Sequence, residues 1–87
     1  MKLIAWLKKE RMSIGIRTSV GYNSKNNWEA FLGGYATEFV AKGATPDKAI
    51  AKLVSSMAGK EVEEWDFFGH EIVRVIKIPK DLVYDTE

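Results

Sequence analysis

Eighty-seven residues with a 46% hydrophobic fraction make one small domain with a modest core and a thin stability margin. There is no cysteine, which excludes disulfides and thiolate chemistry, and a single histidine leaves little for nucleophilic catalysis. Thirteen basic and twelve acidic residues give a net charge of +1, divided unevenly: ten Lys/Arg against four acids over 1–60 (+6), three against eight over 61–87 (−5).

Such a split marks either two halves that neutralise each other or a basic surface beside an acidic one. No apolar run approaches the roughly 20 residues that span a bilayer. Residues 1–7 lack the apolar length and cleavage site of a signal peptide. A cytoplasmic protein is therefore expected.

Residues 1–10 place Leu3, Ile4 and Leu7 on one helical face, with Lys2, Lys8, Lys9 and Glu10 elsewhere. A short helix is favoured over an opening strand, and Trp6, off that stripe, is expected to be part-exposed. Residues 12–22 alternate strictly. Met12, Ile14, Ile16, Thr18, Val20 and Tyr22 point one way, Ser13, Gly15, Arg17, Ser19 and Gly21 the other, which predicts a strand with one wet face. Gly15 and Gly21 on the outer face signal a bulge or a close neighbour. Asn23, Ser24, Lys25, Asn26 and Asn27 form a polar turn.

Residues 28–42 read as the central helix. Trp28, Phe31, Leu32, Tyr35, Ala36, Phe39 and Val40 recur at helical spacing, and Gly43 is a C-terminal stop. The opposite face holds only Ala30, Gly33, Gly34, Thr37 and Ala41. Glycines inside a helix cost about 1 kcal/mol each, so close approach of another backbone is the expected compensation. That face lies either under the next helix or against a partner.

Thr45, Pro46 and Asp47 are a helix start, and a second helix is expected to about Ala58 with Ala49, Ile50, Leu53, Val54 and Met57 inward. Residues 61–68 and 71–78 read as a hairpin about Gly69-His70, with a helical turn over 62–68 as the alternative for the first arm. Apolar residues on both faces of the second arm predict a central strand, ended by Pro79. Residues 80–87 are a tail in which Leu82, Val83 and Tyr84 can tuck in or pair along an edge. The fold expected is α+β: a small, mostly antiparallel sheet of about three strands with two or three helices on one side, in the order (α)-β-α-α-β-β. Residues 1–79 form the domain.

No catalytic set emerges. His70 sits in a turn, and no serine lies in a nucleophile motif. The acidic run Glu61, Glu63, Glu64, Asp66 and Glu71 has no metal-ligand spacing and reads as a solvated edge. No cofactor is implied. The element order resembles that of a winged-helix DNA-binding domain. The joint Lys42-Gly43-Ala44-Thr45 would be its turn, residues 46–58 its recognition helix, and Gly69-His70 its wing tip. That resemblance implies DNA contacts from Lys48, Lys52, Ser55 and Ser56. Against it, the helix offers no Arg, Asn or Gln for bidentate base contacts, and the wing is acidic. An RNA-binding KH domain is set aside because the G-x-x-G loop is missing.

The leading expectation is a non-enzymatic protein that docks on another protein, in one version on a second copy of itself through the small-residue helix face. Trp6, Arg17, Gly33, Gly34 and Thr37 are the expected partner-binding residues, since aromatics and Arg dominate interface hot spots.

Overall fold

The computed structural model describes residues 1–18, 27–35, 38–66 and 68–84. It is an α+β fold. In chain order the elements are α1 (Leu3–Glu10), β1 (Ile14–Thr18), β2 (Trp28–Leu32), β3 (Val40–Gly43), α2 (Pro46–Met57), β4 (Glu61–Trp65) and β5 (Ile72–Lys77). Strands β1-β2-β3 form one antiparallel sheet, and β4-β5 form a separate two-stranded one.

The central helix expected over 28–42 is absent, and the described residues of that stretch form β2, a turn at Gly33-Gly34 and β3. Both periodicities fit this stretch, because Trp28, Ala30 and Leu32 alternate with Glu29 and Phe31. Ala30 and Leu32 are fully buried, while Glu29 and Phe31 meet Arg17 on the outer face. The Gly33-Gly34 pair decides it. Gly34 has φ +84, a turn conformation that glycine adopts without strain, and Gly33 donates to the Ser13 carbonyl at 2.7 Å. Non-local pairing then fixes the register, with Ile14 opposite Leu32 and Ala30 opposite Ala41.

Small residues do permit close approach, but from strands. Helix α2 lies on β2 and β3, and Gly43 is buried against it: a Cβ there would strike the backbone of Lys48 and Ala49. Gly15 likewise leaves room for the Phe31 ring of the neighbouring strand, the close neighbour its position signalled. Residues 19–26, which include the end of the predicted strand and most of the polar turn, lie outside the described residues.

Helix α2 is locally encoded. Thr45 Oγ1 accepts from Lys48 N at 3.1 Å, Pro46 opens the first turn and Asp47 faces the helix dipole. Its inward residues are Ala49, Leu53, Val54 and Met57, and Gly59 (φ +80) follows the cap.

Helix α1 is rotated from the expected facing. Leu3, Trp6 and Leu7 are buried and Ile4 is exposed. Turning inward the larger apolar area of Trp6 at the expense of Ile4 is the more favourable choice. The indole Nε1 then finds no hydrogen-bond partner among the described residues.

Beyond β5, Ile78 and Leu82 join the core. Val83 pairs in parallel with Lys2, through Leu3 N to Val83 O (2.8 Å) and Val83 N to Met1 O (2.9 Å). Tyr84 donates its hydroxyl to Asp47 Oδ1 at 2.6 Å. No helix among the described residues is long and apolar enough to cross a membrane.

Candidate docking surface

An acidic-apolar strand and a basic-apolar strand make the hairpin. In β4, Val62 is buried between exposed Glu61 and Glu63; in β5, Ile76 is the buried residue. Val62 and Ile76 are directly opposite each other, so this pair plugs the hairpin into the core. The turn is closed by Asp66. Its carbonyl accepts from Gly69 N (3.0 Å) and its Oδ1 from His70 N (2.7 Å), with Gly69 at φ +72. The Phe68 ring stacks on His70 at 6.1 Å between centroids.

Arg74 straps the hairpin to the end of α1. Its Nε donates to the Glu64 carboxylate, its Nη2 to the Glu10 carbonyl at 3.0 Å, and its Nη1 lies 3.5 Å from Glu10 Oε2. A cation at the last carbonyl of a helix is favoured by the dipole as well as by the carboxylates. The bond to Glu64 is the main cause that raises the Arg74 pKa further.

The rest of the hairpin is apolar and uncovered. Trp65 is 50% exposed, Phe68 75%, Ile72 46%, Val73 62% and Val75 48%. Half of the exposed large hydrophobics among the described residues fall in this one hairpin. A register shift between Glu64 and Trp65 sets Trp65 opposite Ile72, which concentrates them further. The expectation of a central strand is thus corrected: among the described residues β5 has one partner, β4, and its apolar character marks surface on one side. A clustered apolar patch on a small chain signals an interaction site rather than scattered surface hydrophobics.

A cleft of about 530 Å³ opens between this hairpin and the β2–β3 turn, lined among others by Ser13, Gly34, Tyr35, Glu38, Trp65 and Arg74. Burial, and then the Glu64 charge, raise the Tyr35 hydroxyl above its ordinary pKa. No histidine lines the cleft, and no three metal-ligating side chains converge among the described residues.

The residues singled out from sequence fare differently. Trp6, at 1% exposure, is core and unavailable to a partner. Arg17 is on the outer face of β1, its guanidinium 4.9 Å over the Phe31 ring and 3.4 Å from Glu29 Oε2. Gly33 and Gly34 line the cleft. They belong to a turn, so the small-residue helix face proposed for self-association does not exist. Thr37 lies outside the described residues.

Lys48, Lys52, Ser55 and Ser56 are exposed along α2, and Ser56 Oγ donates back to the Leu53 carbonyl at 2.9 Å. The helix-turn-helix is absent: strand β3, not a helix, enters α2. The winged-helix resemblance therefore fails on element order, its only basis.

Ile72, Val73 and Val75 escape the sequence reading because apolarity on both faces of the second arm reads as double-sided burial, and Trp65 because it lies in the mixed acidic and apolar first arm. The strand expected over 12–22 would have covered the second side, but it pairs with β2 in the other sheet. No protein-family model, curated protein or solved structure matches the chain.

Proposed function

We propose that this chain is a small non-enzymatic binding protein that docks on another protein through the β4–β5 hairpin. The observation that carries this reading is the exposed set Trp65, Ile72, Val73 and Val75 on a hairpin strapped to the body by Arg74. Trp65 supplies the large aromatic anchor favoured at hot spots. Exposed Glu61, Glu63 and Glu71 border the patch as the charged rim of an interface does.

A photo-crosslinking residue at Trp65, compared with one at Lys52 on α2, tests it in cells. Protein adducts should form from position 65 and vanish when Val73→Thr and Val75→Thr are added. Adducts to nucleic acid alone, or equal adducts from both positions, would sink the reading.

A further inference from the structure

We infer that the partner of the hairpin is a second copy of this chain, paired antiparallel β5 to β5 with Val75 on the two-fold axis. The inference rests on the hairpin being the docking element and names what covers it.

The free edge of β5 follows from hydrogen-bond parity. Ile78 N donates to Lys60 O at 2.9 Å and Ile78 O accepts from Gly59 N at 3.1 Å, so both backbone groups of Ile78 face β4. In an antiparallel pair this facing alternates, so those of Ile76 also face β4, while those of Val75 and Lys77 face away. No backbone bond from another described element reaches Val75 or Lys77. An exposed apolar edge of this kind is a template for another strand.

Charge selects the occupant. The segment Glu71-Ile72-Val73-Arg74-Val75-Ile76-Lys77 has an acid at one end, a lysine at the other and apolar residues around Arg74. Antiparallel self-pairing brings the Glu71 end of each copy to the Lys77 end of the other, whereas parallel pairing sets like on like. The β4 edge behaves oppositely: Glu61, Glu63 and Glu64 carry no cation between them, so two β4 edges repel.

Parity also sets the register. The outward groups of Val75 must meet outward groups, which leaves registers centred on Val75, on Arg74 or on Ile76. Centring on Ile76 opposes Val73 to Pro79, which has no N–H to donate. Centring on Arg74 opposes two guanidinium side chains. Centring on Val75 opposes Val75 to itself, Val73 to Lys77 and Arg74 to Ile76, with no like charges directly opposed. The product is a four-stranded sheet, β4-β5-β5-β4, with apolar residues in the middle and acids on both rims. It closes at two copies because the outer edges are acidic.

Cysteine scanning of the full chain, which has no native thiol, tests the register. A hydrogen-bonded antiparallel pair holds its Cα atoms about 5.5 Å apart, within disulfide range. Val75→Cys should therefore oxidise to a covalent dimer. Val73→Cys and Lys77→Cys should each stay uncrosslinked alone and form a covalent dimer when mixed.

Val75→Pro removes only an outward N–H, so it should leave the hairpin folded by circular dichroism and abolish the dimer in sedimentation. The wild type should sediment as a concentration-dependent dimer. A wild type that stays monomeric throughout, or a dimer that survives Val75→Pro, overturns the inference. If crosslinks from position 65 then reach a different protein, the docking reading stands without self-pairing; if they reach none, both fall.

Discussion

The two sheets of this protein use the same pleat for opposite ends. In β1-β2-β3 one face is sealed under α2, with Ala30 and Leu32 fully buried, and the other is covered in part by an Arg17–Phe31 contact. In β4-β5 only Val62 and Ile76 reach the core, and the remaining apolar residues face outward. Alternation alone does not separate the two. What separates them is whether a helix lies across the sheet. Burial is concentrated where α2 lies, and the outer residues of the hairpin stay exposed.

The sharpest way to break the contrast is at α2. Leu53 is fully buried, and Leu53→Ala should cost about 2–5 kcal/mol in urea unfolding. A smaller loss would mean that α2 is not the main cover of the sheet.

Next come the two turn glycines. An added Cβ meets nothing at either Gly34 or Gly69, so the cost of alanine is conformational, about 1–2 kcal/mol. For Gly34→Ala this should appear in global unfolding, and Gly34→Asn should recover part of it. For Gly69→Ala it should appear as faster amide exchange confined to the hairpin. Global loss from both would merge the two regions into one cooperative unit.

Val73→Thr with Val75→Thr should leave monomer stability within about 0.5 kcal/mol, as for surface changes generally. A larger drop would mean those side chains are buried in the monomer.

The smallest effect is alkaline. Tyr84 is raised above the ordinary tyrosine value first by its bond to Asp47, and Tyr35 first by burial and then by Glu64. A raised phenol favours its protonated form in the fold. Its contribution is therefore complete below about pH 10 and is lost as pH climbs through the folded value. In ring-carbon NMR titrations Glu64→Gln should lower the Tyr35 midpoint and leave Tyr84 in place. Movement of both would show that the cleft and the α2 end are electrostatically joined.

What was legible in the sequence was what local chemistry encodes. Thr45, Pro46 and Asp47 start α2 with no help from elsewhere, and the hairpin announces itself through Gly69 and the flanking apolar runs. Residues 28–42 misled because their aromatics satisfy a period of 3.6 and a period of 2 together, and pairing with β1 is a non-local fact. Trp6 misled because the choice between it and Ile4 depends on what the rest of the chain presents to α1. Gly33 and Gly34 do line the cleft, for turn reasons rather than helix-packing ones. The hairpin patch was hidden because an apolar surface and an apolar core are written with the same residues.

The parallel bridge between Lys2 and Val83 has a mechanical consequence. Tension applied through the backbone on the outer sides of these two residues pulls the paired segments along their length in opposite directions. The bonds Leu3 N–Val83 O and Val83 N–Met1 O are then loaded together in shear rather than opened one after another. In a single-molecule pulling experiment this small clasp, and not the larger sheet, would bear the force first.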